Sequence, residues 1–347
     1  MPSWGAILAL MAQPYIGGQA VIEGVMMRAP GCLTVAVRRP DGSIALREGP
    51  YRSRWSRKLW KLPAFRGVAM LIESLTMGFS ALQFSAEQQM TEEERAQEQD
   101  SGRWAMMLST LLALGLFIAL PQGLASLTER AFGWELGLTD VGFHFLIGSF
   151  KLLIFVAYLF AISRIPDVRR VFQYHGAEHK TINAFERSLP LTVDNVRAQT
   201  TLHPRCGTTF LVVVIVVSII LGSLVAPLLM PDVEGLWGQL ALLLIRIGLL
   251  PFIAALSYEL QRLSARFCTT GWRRIVLYPG FLFQKITTRE PDDAQIEIAI
   301  AAMEAAAWRN QIEESAPHSD EPLIFPSFSG FREALAAEGS LAGARAV

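Results

Sequence analysis

The chain has 347 residues, of which 18% are charged and 52% apolar. Soluble domains carry about 25% charge, so this composition argues against a pair of ordinary soluble domains, and it excludes a largely disordered, collagen-like or disulfide-dense chain. The 31 basic and 31 acidic residues cancel, which leaves no field for a nucleic acid, and none is expected as a partner. The composition is that of an integral membrane protein, an α-helical polytopic bundle with a cytoplasmic α+β portion.

In chain order, residues 1–66 form an N-terminal cytoplasmic segment. Its first sixteen residues carry no charge and lack the basic start of a secretory signal. Gly17, Gly18 and Gly24 permit tight turns or close backbone approach, and Glu23 and Arg28 beside them could line a pocket or pair with each other. Residues 34–39 and 43–48 alternate apolar and polar around Pro40-Asp41-Gly42, a β-hairpin pattern. Residues 67–86 are apolar except for Glu73 and read as a re-entrant or interfacial helix, or one packed on the bundle or buried in the cytoplasmic part. Residues 87–103 read as an acidic linker.

Four stretches, 104–128, 141–163, 206–231 and 235–258, are long and apolar enough to cross a hydrocarbon core, which takes about 20 residues. They pair into transmembrane hairpins over 104–163 and 206–258. Twelve basic residues precede the first span, seven lie between the second and third and nine follow the fourth, whereas the outer loops hold only Arg130. Basic loops stay inside, so four spans with both termini in the cytoplasm of a bacterial inner membrane are expected. Making 67–86 a fifth span would turn the seven- and nine-residue groups outward. Residues 164–205 are too long for a passive connector. Within the final cytoplasmic segment, 259–314, residues 292–314 read as a helix with an apolar stripe through Ile296, Ile300 and Met303. The tail from 315 to 347 is expected to be loosely ordered.

His175-Gly176-Ala177-Glu178-His179 is the most informative run. Positions four apart share a helix face, so His175 and His179 can offer two imidazoles to one ion. Glu178 is placed to take a proton from water beside it, in the H-x-x-E-H order of inverted zinc peptidases. The plainer alternative is a helix whose polar groups are satisfied by hydrogen bonds. His203 and Cys206 follow in an H-x2-C arrangement and would complete a four-ligand, structural site; Glu186 and Glu259 are other possible third ligands. The three cysteines, Cys32, Cys206 and Cys268, fall on the cytoplasmic side, where metal binding comes before cross-linking. Imidazole with thiolate favours zinc.

Lys151 and Arg246 sit near the middle of their spans, where a charge costs roughly 2.5–3.5 kcal/mol or more. Snorkelling would relieve them; otherwise Glu73 or an anionic ligand such as a phospholipid headgroup is the expected partner. His144 reads as an interfacial histidine and not as a ligand.

Residues 17–30 (GGQAVIEGVMMRAP), 174–186 (YHGAEHKTINAFE), 203–210 (HPRCGTTF), 257–259 (SYE) and 284–293 (QKITTREPDD) resemble the YqhQ-like family of bacterial membrane proteins. The resemblance implies a polytopic inner-membrane protein with its polar motifs on the cytoplasmic side, under the family label of predicted metal-dependent enzyme. That label rests on the same His and Glu pattern and brings no substrate. Three functions are left in competition: a membrane metallohydrolase with Glu178 as base, a zinc-stapled scaffold or assembly factor, and, with only the intramembrane cations behind it, transport. Membrane lipids, other membrane proteins and a second copy of the chain are the expected partners.

Overall fold

The computed structural model describes residues 16–51, 62, 65–91, 102–134, 136–138, 140–229, 235–268, 271–311 and 321–338. Four strands near the N-terminus, β1 (Gly17–Val21), β2 (Gly24–Ala29), β3 (Cys32–Arg38) and β4 (Ile44–Pro50), form an antiparallel meander, and β5 (Leu323–Phe325) adds to its far edge. The hairpin read around Pro40-Asp41-Gly42 is β3–β4, with Thr34 opposite Glu48 and Val37 opposite Ala45. The glycine-rich run before it is also strand: a two-residue turn, Ile22-Glu23, reverses β1 into β2, and Glu23 takes φ 50° there.

Both faces of this sheet are buried. Val25, Met27, Ala36, Ile44 and Leu46 point to one side, where they pack with Ile296, Ile298, Ile300 and Met303 of α10 (Asp293–Arg309). Val21, Met26, Val35, Val37 and Ala45 point to the other, against Met77, Ala81 and Phe84 of α1 (Phe65–Glu87). This is the period-two alternation of a strand, with a second helix where a polar face was expected. Helix α10 starts on a capping box between Asp292 and Gln295. It is buried nearly all round, because the sheet covers one side and α5 (Pro166–Glu186) lies on another. The single stripe expected on this helix is therefore too narrow.

The apolar helices are α2 (Gly102–Leu114), which runs through a π-helical turn at Gly115–Ala119 into α3 (Leu120–Phe132), then α4 (Val141–Ile162), α7 (Gly207–Leu229) and α8 (Gly235–Phe267). With α1, they make five helical stretches among the described residues long and apolar enough to cross a membrane. Phe143 and Ile147 of α4 meet Ala125 and Leu242, Phe155 and Leu159 meet Ile215, and Val217 meets Leu249 and Ile253. Their outer surfaces stay apolar, as lipid contact requires.

Helix α1 is unbroken. Gly67 lies against Ala255 of α8, where a Cβ would fall 2.7 Å from the Ala255 Cα, while the far half of α1 sits on the sheet. Leu75 (64% exposed), Phe79 and Leu82 are left bare between these contacts. The helix thus joins the bundle to the sheet.

The tail differs from the expectation of loose order over residues 321–338. Strand β5 pairs with Ile44–Leu46, and α11 (Phe328–Glu338) places Phe331 in the core with no exposed surface. The local Pro, Ser and Gly content conceals this order, because the strand needs the free edge of β4 and the helix needs the end of α10. Residues 339–347 and most of the acidic linker, 92–101, lie outside the described residues.

Candidate metal centre

Helix α5 opens with Pro166 in its first turn and Asp167 beside it, both suited to a helix N-terminus. It carries His175 and His179 one turn apart, their ring centroids separated by 4.4 Å. Cys206 comes from a different part of the chain, immediately before α7, so that its sulfur lies at a helix N-terminus. The His175 Nε2 is 3.2 Å from the Cys206 Sγ, and ligand atoms of His175, His179 and Cys206 all lie within 4.8 Å of one another.

The outer nitrogens of both imidazoles are held by backbone. His175 Nδ1–H donates to the Thr287 carbonyl at 2.8 Å, and His179 Nδ1–H to the Thr201 carbonyl at 2.5 Å. Each bond holds the ring with Nε2 turned toward the cluster, where a metal would replace the proton that His175 shares with Cys206, the usual outer-shell arrangement of a metal-binding histidine. Burial opposes charge on the Cys206 thiol, but His175 and His179 beside it hold it well below its ordinary value. The same contact acts on His175 in reverse: burial depresses it, the thiolate outweighs burial, and it rises to about 9. Two imidazoles with a ready thiolate are a donor set fit for a borderline-soft cation.

Glu178 lies within the same electrostatic environment. It is 4% exposed, burial pushes its carboxyl up, and His179 and His175 partly offset that shift. Its Oε2 is buried with no hydrogen-bond partner.

The surrounding packing explains two glycines. A Cβ on Gly176 would fall 2.0 Å from the Arg289 carbonyl oxygen, because residues 287–291 cross α5 there; Arg289 N–H also donates to the Phe172 carbonyl. On the other side, a Cβ on Gly18 would meet Glu178 Cγ and Oε1 at 2.9 Å. Gln284 is fully buried and clamps His203, accepting from its N–H and donating to its carbonyl. Gln261 donates to the Cys206 carbonyl at 2.9 Å. Sequence reasoning had not singled out Gly18, Gly176, Thr201, Gln261, Gln284 or Thr287 as parts of the site. The only signal for Gly18, Gly176, Gln284 and Thr287 lay in the motif blocks GGQ, HGAEH and QKITT taken whole, and Thr201 and Gln261 fall outside every block.

The other candidate residues go elsewhere. His203 is buried and turned toward Glu186, with Nε2 3.5 Å from its Oε2, and its ring centroid is 5.7 Å from that of His179. Burial lowers its pKa. Glu186 also pairs with Arg205, and Glu259 is held by Arg66 in a two-point ion pair. Neither belongs to the His175–His179–Cys206 group. Glu23 and Arg28 do not pair with each other. Glu23 accepts from Arg170 at 2.5 and 2.6 Å and from the Tyr174 hydroxyl, while Arg28 reaches Glu73 at 3.2 Å and stacks over Tyr51. Glu73 is therefore engaged by the sheet and is not a counter-ion for Lys151 or Arg246. Those two turn to neutral partners: Lys151 donates to Ser218 at 3.2 Å, and Arg246 donates to His144 at 2.7 Å. His144, in the first turn of α4, is buried within the bundle.

A surface cavity of about 390 Å³ lies apart from this cluster, lined among others by Arg38, Glu297, Phe328 and Arg332. None of the clustered residues lines it.

A family model described as "Protein of unknown function (DUF1385)" matches residues 62–308. "Uncharacterized protein YqhQ" of Bacillus subtilis (strain 168) is 34% identical over 318 residues, covering 86% of this chain and 96% of that protein. No solved structure matches. The matched length takes in the histidine helix, Cys206 and the crossing segment at 287–291, and the chain belongs to this DUF1385, YqhQ-like family.

Proposed function

We propose that the protein is a metal-dependent hydrolase of the bacterial inner membrane, with His175, His179 and Cys206 holding zinc at the cytoplasmic face. The observation that carries this reading is the buried, unpartnered Oε2 of Glu178 beside a cluster of three donors and not four. A bound zinc ion would polarise a carbonyl or phosphoryl group and make water more acidic. Glu178 is the proton acceptor: its Oε2 takes the proton of a water, and its raised pKa makes it a stronger base than an exposed carboxylate. Thr287 and Thr201 orient the imidazoles, and Gly18 allows the sheet edge to close over Glu178 and exclude bulk water. Because Cys206 directly precedes a membrane-length helix, a substrate borne by lipid or by a membrane protein fits the position.

The orientation belongs to the same proposal. Four spans, with α1 lying at the cytoplasmic interface, keep the basic loops inside. Two contacts support that placement: α1 meets α8 near its C-terminal end, through Gly67–Ala255 and Arg66–Glu259, and then continues onto the sheet.

A second reading is a closed, structural zinc site. The nearness of the His203 and His179 rings favours it, since a turn of His203 would supply a fourth ligand. Elemental analysis of detergent-purified protein separates the two, with complementation of a deletion strain as the measure of activity. The hydrolase reading expects about one zinc per chain in the wild type, Glu178→Gln and His203→Ala, and loss of zinc in Cys206→Ser. Glu178→Gln should also fail to complement. Full complementation by Glu178→Gln would overturn the base, and loss of zinc in His203→Ala would make the site structural.

A further inference from the structure

Helices α4, α7 and α8 bring two cations together inside the bundle. Ile147 of α4 and Leu242 of α8 pack together, and Lys151 and Arg246 each lie one turn further along their helices, which sets the two cations at the same level of the bundle. Stretches 104–128, 141–163, 206–231 and 235–258 contain no carboxylate to set against them. Asp140, one turn before His144 at the start of α4, uses its side chain to accept from the Gly137 N–H at 2.7 Å. The neutral partners, Ser218 and His144, each take up one donor and leave both charges in place.

The donors are more numerous than the acceptors. Ser218 donates its own proton to the Ile215 carbonyl, which leaves its oxygen to accept from Lys151. His144 accepts from Arg246 through Nδ1, so the ring proton must sit on Nε2. His144 is 2% exposed, and its buried Nε2 makes no hydrogen bond of ordinary geometry, the Leu138 carbonyl being the acceptor near it. The Arg246 Nε–H is buried and unpartnered as well. Donors without acceptors add a further cost to that of the charges in a medium that offers no water. Here they come from two residues in direct contact, with a second cation beside them.

We infer that α4, α7 and α8 build an oxyanion-binding site within the membrane, in which Lys151, Arg246 and the His144 Nε2–H hold a phosphate-type group. A single negative charge would settle the mutual repulsion of Lys151 and Arg246. A group with several oxygens suits the guanidinium fork and an imidazole N–H better than a spherical halide does. The site is separate from the metal centre: Ser218 lies twelve positions beyond Cys206 along the chain, which is about 18 Å of helix. The phosphate can belong to a lipid headgroup drawn between the helices or to an ion from the aqueous phase; the chemistry of the site is the same.

The test is the thermal unfolding of the full, detergent-purified chain, followed by intrinsic fluorescence. Inorganic phosphate is compared with chloride at matched ionic strength, and phosphatidylglycerol with phosphatidylcholine. A rise in Tm with inorganic phosphate identifies an aqueous ion; a rise with phosphatidylglycerol alone identifies a lipid headgroup. Either rise should vanish in Lys151→Met/Arg246→Met, with at least a tenfold loss of apparent affinity for the stabilising probe. This double variant removes buried charge and should fold; Arg246→Lys, which keeps the charge but not the fork, provides a second reading with an intermediate loss. No rise of the wild-type Tm beyond the chloride and phosphatidylcholine controls would overturn the site, as would a rise undiminished in the double variant.

Discussion

At the scale of single residues, charge placement decides which side chains are structural and which are spare. Arg309 and Glu48 form an ion pair between α10 and β4, both under a tenth exposed, with Nε and Oε2 3.2 Å apart. Neither can be removed alone without stranding the other in the core, at about 3–5 kcal/mol. Arg309→Met should therefore lower the unfolding midpoint sharply, and Glu48→Leu in the same chain should restore much of the loss. An equal drop in the single and double variants would show that packing and not charge holds this junction. Glu178 is the opposite case, a buried carboxylate whose second oxygen has no such partner. His175 and His179 were legible in the sequence because helix periodicity alone puts them on one face. The orientation of His203 was not, since it depends on Gln284, 81 residues away, holding its backbone from both sides. Nor could spacing show that Glu186 would be taken by Arg205.

At the scale of elements, the pattern is that local periodicity reveals a helix or strand but not what covers it. The β3–β4 hairpin could be read from alternation and its turn, whereas β1 and β2 were hidden by glycines that serve close approach. Gly18 makes room for Glu178, and Gly24 lies so near the β3 backbone that a Cβ would sit 2.4 Å from the Ala36 carbonyl oxygen. Helix α1 shows the same limit: its apolar run was plain, but its contact with the sheet on one half and with α8 on the other was not. Gly67 tests that contact. The atoms a Cβ would meet are Ala255 Cα at 2.7 Å and Ala255 O at 2.9 Å, backbone that cannot swing aside. Gly67→Ala should separate α1 from α8 and cost about 1–3 kcal/mol of stability through overpacking. Gly248→Ala, in the same α8 but with nothing within 4 Å of its Cβ, serves as the control and should leave the midpoint unchanged or slightly raised. If both substitutions behave alike, the α1–α8 contact does not hold the helix in place.

At the scale of the whole molecule, the sheet, the histidine helix and the C-terminal elements form one packed body, which constrains how the chain can thread a bilayer. Strand β4 pairs with β5 from the tail, α10 fills the sheet's inner face, and α5 packs on β1 and α10. Segments from before the first span, between the second and third, and after the fourth therefore lie on the same side. That is possible only when an even number of crossings separates each from the next. The proposed four-span arrangement meets this condition: α2–α3 as one crossing and α4 make the first pair, α7 and α8 the second, and α1, whose far half packs on the sheet, is assigned none. Expressed in a Gram-negative host, alkaline phosphatase fused after residue 338 should be inactive and a fluorescent protein there bright, both reporting cytoplasm. Phosphatase inserted at residue 134, in the loop after α3, should be active. Active phosphatase at 338 would invert the whole arrangement. Inactive phosphatase at 134 with a fluorescent 338 would mean that α2–α3 and α4 do not cross, and the buried donors of α4 would then have to be explained without a membrane around them.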